Sequence, residues 1–226
     1  MATILVDLDG TLLPLSAWDP VFREACAQIA KAAGVAAEEV WRKVRRLNLE
    51  MAKALDWRAF DWQHLFELAA GELGAPRAPD ILAALRRHIH TFRPVDGALE
   101  TLARLREMGH RVEIATNGHA SYQLPVIRQL GLDAVVDGVR TSDLYKCPKS
   151  CPEYFRGADV MVGDNPVFDV YFPKKYGLKA VFYGDWETSS KTYAERFGID
   201  LSRTAADAEI KTIRELPAVV ELVLKK

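Results

Sequence analysis

The chain has 226 residues, 49% of them hydrophobic, enough to bury one large domain or one domain carrying a smaller insertion. Lys and Arg number 30 against 31 Asp and Glu, a net charge of -1, so no single-sign field is available to hold a nucleic acid or a membrane surface. Three cysteines, an odd number, argue against a disulfide framework and fit a reducing cytosol.

The N-terminus has no basic head followed by a long apolar stretch, so a signal peptide is not expected, and every apolar run is too short for a membrane span. The first element is a strand, TILVD at 3–7, a short β-branched run of the kind buried on both faces. From about Ser16 to Thr91 the period becomes helical. Val21, Ala25 and Ile29 recur four residues apart before Gly34; Val40, Val44, Leu47 and Met51 follow; then Phe60, Leu65, Phe66 and Ala69 before Gly71 and Gly74; then Ile81, Leu85 and Ile89. Four successive helices with short connections predict a small bundle. Trp18, Trp41, Trp57 and Trp62 fall in or beside it and are expected to be mostly core, with one or two facing a ligand.

After Phe92 and Pro94 helix and strand alternate. A helix is predicted over Ala98–Met108, capped by Asp96, then a strand at 111–116, a helix over Ser121–Leu130 and a strand in DAVVDG at 133–138. A strand over 158–164, a helix over Pro166–Tyr176, a strand over 179–185, and a short strand and helix after Ala208 complete the pattern. The expected fold is α/β, a doubly wound parallel sheet with an inserted helical bundle: a core of 1–14 and 94–226, and a cap of 15–93.

In an open parallel sheet, ligands bind beyond the carboxyl ends of the strands. Those ends carry Asp7, Asp9, Gly10 and Thr11; Thr116, Asn117 and Gly118; Lys146 and Lys149; and Asp164 with Asp169. Each group alone is ordinary turn chemistry. Converging on one edge, the carboxylates repel and call for a cation, and hard oxygen donors without a His or Cys cluster select Mg²⁺.

DLDGTLL at 7–13, TNG at 116–118, Lys149 with CPEYF, and VGDNPVFDV at 162–170 resemble, in order, the four motifs of the haloacid dehalogenase-like hydrolases. The helical insertion is similar to that family's cap. The resemblance implies a phosphatase in which Asp7 is the nucleophile and Asp9 the general acid and base. It implies that Thr116, Asn117 and Gly118 bind the phosphoryl group and that Lys149 offsets the negative charge. Asp7, Asp164 and the carbonyl of Asp9 would hold Mg²⁺, with Asp169 orienting them through Lys149.

Two departures stand out. Ser150 follows Lys149 where the family has a proline, and Lys146 competes for the lysine's role. The connection from Val139 to Asp159 is compressed, so any helix there spans one or two turns. Cys147 and Cys151 form no zinc set and are read as incidental. Asp9 argues against a haloacid dehalogenase; a phosphomutase and a non-catalytic module that keeps the fold stay open. The basic run RKVRR at 42–46 reads as a solvated helix face, and Gln123 as a solvated or capping residue. The expected substrate is a small phosphorylated metabolite, sugar- or nucleotide-like, and the expected protein a cytoplasmic monomer or small homo-oligomer with no nucleic-acid or membrane partner.

Overall fold

The computed structural model describes residues 1–225. Six parallel strands form one sheet in the order β3-β2-β1-β4-β5-β6. They are β1 (Thr3–Val6), β2 (Arg111–Thr116), β3 (Gly138–Thr141), β4 (Val160–Gly163), β5 (Lys179–Tyr183) and β6 (Ala208–Ile210). β1 lies centrally: Thr3 pairs with Arg111 of β2 and Ile4 with Val160 of β4. Side chains alternate across the sheet as extended chain requires. Ile4, Val6, Val112, Ile114, Val160 and Val162 pack on one face, and Leu5, Ala115 and Met161 on the other.

Four helices follow β1: α1 (Asp19–Ala33), α2 (Ala37–Lys53), α3 (Trp62–Glu72) and α4 (Ile81–His88). Their ends follow local chemistry. α1 stops at Gly34, whose φ of 70° suits a residue without Cβ. α3 and α4 start at Asp61 and Asp80, which accept from the His64 and Ala83 backbone N–H groups. One face of each is buried, as Val40, Val44 and Leu47 show for α2. The chain leaves the sheet at Leu12–Pro14 and returns beside its own exit, where the Val95 N–H donates to the Leu12 carbonyl at 2.8 Å.

The remaining helices are α5 (Ala98–Glu107), α6 (Ala120–Gln129), α7 (Ser142–Tyr145), α8 (Phe172–Lys175), α9 (Trp186–Phe197) and α10 (Leu216–Val223). Among the described residues no helix is long and apolar enough to cross a membrane.

Three expectations need correction. The third strand is GVRT, not DAVVDG: Leu132–Ala134 is a 3-10 turn, and the Asp137 carboxylate accepts from Val112 N–H at 2.8 Å just ahead of the pairing. Asp96 caps nothing. Gly97, at φ 81°, precedes α5, while Asp96 is ion-paired with Arg214. The third is α9, a helix not expected at all, which follows β5. The connection after β3 is compressed as expected, holding the one-turn α7 and a 3-10 turn at Pro152–Phe155.

Candidate active site

Asp7 is the first residue past β1, held in line with the sheet by its N–H bond to the Val162 carbonyl at 2.8 Å. Its carboxylate accepts from Lys149 Nζ at 2.5 Å and from Thr11 Oγ1 at 3.3 Å. Lys149 also donates to Asp169 Oδ1 at 2.6 Å and to the Ala115 carbonyl at 3.2 Å, at only 2% exposure. Burial works against its charge, but Asp169 and Asp7 at its tip outweigh that and hold it above the usual lysine range.

The backbone around Lys149 is anchored separately. Its N–H donates to Asn117 Oδ1 at 2.7 Å, which ties the loop after β2 to the loop after β3. Cys147 and Cys151 are joined in a disulfide that brackets the lysine, with their Cα atoms 6.3 Å apart. This overturns the reading of those two cysteines as incidental and the expectation of no disulfide: the turn at Pro148 brings residues four apart within bonding reach. Lys146, the competing lysine, has φ 51° and points elsewhere, with its ammonium 4.4 Å from the ring centre of Trp57.

β4 delivers the other acids. Asn165 starts a π-helical turn over Pro166–Tyr171 by accepting from the Val167 and Phe168 N–H groups. Its own N–H donates to Asp169 Oδ2 at 2.9 Å. A π-turn carries more than four residues per revolution, so Asp164 and Asp169 come to one side. Two glycines make the room. A Cβ on Gly10 would lie 2.3 Å from Asp164 Oδ2, and one on Gly163 would lie 2.2 Å from Asp169 Oδ2.

Asp7, Asp164 and Asp169 each place a carboxylate oxygen within 4.8 Å of the others. Burial first, and then their mutual charge, pushes Asp164 above the usual carboxylate range; burial does the same to Asp169 even against Lys149. Lys149 pairs with two of the three acids, and Asp164 has no ion-pair partner among the described residues. An all-oxygen cluster with surplus negative charge fits a hard divalent cation.

Asp9 lies outside this cluster. Its carboxylate accepts from Trp18 Nε1 and from Gln123 Nε2, each at 2.7 Å. Burial, and after it the charge of Asp7, pushes Asp9 up to about 6, against the pull of Trp18, Gln123 and Lys149. The reading of Gln123 as a solvated or capping residue is overturned, since it is buried, and Trp18 is not marked by any motif. Trp18 sits on a 3-10 turn at the start of the insertion, and Gln123 one helical turn into α6. Gly118 leaves space for the latter, since a Cβ there would meet Gln123 Nε2 at 2.0 Å. Thr116 is buried at the end of β2, and its hydroxyl accepts from Gly118 N–H at 3.0 Å, leaving its proton free to donate.

These groups line a cavity of about 400 Å³ whose far walls are Trp18, Phe22, Trp41, Arg45 and Trp62 from the helical insertion. The insertion also touches the core beside the mouth. Tyr122 donates to Asp61 Oδ1 at 3.0 Å, and Trp57 stacks on His119 with ring centres 5.1 Å apart.

A family model described as haloacid dehalogenase-like hydrolase matches residues 1–158. A glyceraldehyde 3-phosphate phosphatase of Pyrococcus abyssi is 31% identical over 138 residues, 54% of this chain and 58% of that protein. One of Methanopyrus kandleri is 26% identical over 177 residues, 74% of this chain and 73% of that protein. The chain spans about half the length of the Pyrococcus relatives it matches. A solved structure of a HAD phosphatase from Thermococcus onnurineus superposes with a TM-score of 0.75 at 24% identity, over 97% of this chain and 98% of that one. An L-2-haloacid dehalogenase from Xanthobacter autotrophicus gives 0.64 at 18% identity, over 98% of both chains. These two share the fold. With more than half of its length matched by the family model, the chain belongs to the haloacid dehalogenase-like hydrolases.

Proposed function

We propose that the protein is a Mg²⁺-dependent phosphatase that hydrolyses a small phosphomonoester through an aspartyl-phosphate. The observation that carries this reading is the division of labour between Asp7 and Asp9. Asp7 is salt-bridged to a buried lysine, whereas Asp9, two residues on, is held by neutral donors and pushed up to about 6. One carboxylate faces a fixed cation, as suits a nucleophile, and the other is placed to carry a proton near neutral pH.

Asp7 attacks phosphorus in line, and Asp9 protonates the departing alkoxide oxygen. Asp9, now ionised, takes a proton from the water that hydrolyses the acyl phosphate. Trp18 and Gln123 fix the orientation of Asp9 in both steps. Lys149 offsets the charge of Asp7 as the phosphate approaches, and the Thr116 hydroxyl and the backbone of Asn117 and Gly118 receive the phosphoryl oxygens. Mg²⁺, held by Asp7, Asp164 and the carbonyl of Asp9, would screen the charge between nucleophile and phosphate. Asp169 acts through Lys149. Residues 15–93 serve as a cap that hinges at Pro14 and Phe92–Pro94 and excludes bulk water when closed.

Release of inorganic phosphate from p-nitrophenyl phosphate, with and without Mg²⁺, tests the reading. Metal-dependent turnover that disappears in Asp7→Asn supports it. Turnover by Asp7→Asn near the wild-type rate, or hydrolysis of a haloacid alone, overturns it.

A further inference from the structure

The active-site cavity opens into a second space of about 600 Å³, with Asp9, Asp164, Arg45, Phe60 and Trp62 lining both. Its remaining wall has an unusual charge pattern. Arg42, Arg45 and Arg46 reach it from α2, and Arg196 from α9 on the opposite side. Arg46 is spoken for by Glu50 and Glu72, at 2.9 Å each. Arg42, Arg45 and Arg196 have no ion-pair partner among the described residues.

Two of these cations are set in place by aromatic rings rather than by carboxylates. The Arg45 guanidinium stands 5.8 Å from the ring centre of Trp41, and that of Arg196 stands 5.2 Å from Tyr193. Both side chains are solvent-exposed and line the same space, one from the insertion and one from the core. Partial desolvation, and after it the charge of Arg196, holds Arg45 below the usual arginine range. An insertion and a core that each aim a guanidinium at one space gain from an anion placed between them.

We propose that Arg45 and Arg196 form a subsite for a second anionic group, so that the substrate is a phosphomonoester that also bears a carboxylate or another phosphate. The inference rests on the phosphatase reading, because the acidic end of the cavity must take the phosphate that is cleaved. The joined space is then bipolar. The reacting phosphate sits by Asp7 and Lys149, aromatic side chains line the middle, and the second anion meets the arginine pair. Because one arginine comes from each side, the second anion also draws the insertion towards the core.

Binding is measured so that turnover is not needed. Asp7→Asn protein with Mg²⁺ is titrated calorimetrically with two matched pairs: fructose 6-phosphate against fructose 1,6-bisphosphate, and glycerol 3-phosphate against 3-phosphoglycerate. The doubly charged member of at least one pair is expected to bind about ten-fold tighter, an advantage lost in R45Q/R196Q and partly kept in R45K. The pair that responds tells phosphate from carboxylate. Equal affinity within both pairs, no measurable binding of either doubly charged ester, or an advantage that survives in R45Q/R196Q overturns the proposal. Failure of the phosphatase reading shows separately, as an absence of phosphate release by the wild-type protein from any ester tried.

Discussion

Trp18 donates its indole N–H to Asp9 across 2.7 Å, so the first turn of the helical insertion is bonded to the second acid of the DLDGTLL segment. The indole is 4% exposed, stacked on Phe22 and edge-on to Phe92. Trp18→Phe keeps those ring contacts and removes the donor. A hydrogen bond to a charged group is worth about 1.5–3 kcal/mol, so turnover of p-nitrophenyl phosphate is expected to fall roughly ten- to a hundred-fold with KM little changed. An unchanged kcat would show that Gln123 alone positions Asp9.

Lys149 and Lys146 separate cleanly by what each removal exposes. Lys149→Met leaves Asp7 and Asp169 buried without their shared cation, a change of the kind that costs about 3–5 kcal/mol, and it abolishes turnover. Lys146→Ala loses a ring contact worth about 0.5–1 kcal/mol and retains most activity. Thermal unfolding and phosphate release on both variants check this. A larger loss at Lys146 would transfer the role to it.

Glycines give a paired test. Gly118→Ala puts a methyl onto Gln123 Nε2 and forces that amide off Asp9, so activity is expected to drop about ten-fold with a modest loss of stability. Gly71→Ala, in α3 with nothing within 4 Å of the new methyl, is expected to stabilise by about 0.5–1 kcal/mol and to leave activity alone. Melting temperatures of the two variants should move in opposite directions, and only Gly118→Ala should lose rate.

Metal binding is expected to register as stability. At a hundred-fold excess over Kd, Mg²⁺ adds about 2.7 kcal/mol, or roughly 5–10 °C in Tm for a chain of this size. Chelation with EDTA should reverse the shift, and Asp164→Asn, which removes the acid without an ion-pair partner, should abolish it. A full Mg²⁺ response in Asp164→Asn would place the ion elsewhere.

Legibility in the sequence followed the physical origin of each signal. β1, β2 and β4 are apolar runs that end in small or acidic residues, and the acids and glycines at their ends are the ones that meet in space. β3 was hidden because Arg140 lies within it, buried against Glu113 at 2.6 Å, which breaks the apolar pattern that marks a strand. α9 was hidden for a related reason: none of its residues is fully buried, and its half-buried Trp186, Tyr193, Ala194 and Phe197 are spread among Ser, Thr and charged residues, so its period is faint. The Trp18–Asp9 bond, the Cys147–Cys151 link and the meeting of Arg45 and Arg196 on one cavity depend on where chain segments lie in space. Spacing along the sequence does not encode them.

The central position of β1 has a consequence for the order of assembly. β1 meets β2 only after the whole helical insertion has been made, and β4 later still, as the pairing of Thr3 with Arg111 and of Ile4 with Val160 requires. The contacts of α1 with α2 and of α2 with α3 are local by comparison. Long-range parallel pairing is the slow part of folding, so helix content should return first on dilution from denaturant. Asp7 and Asp164 come together only when β4 docks on β1, which makes crowding of the acids a late event. Recovery of catalysis should therefore lag behind recovery of helical signal in a refolding time course.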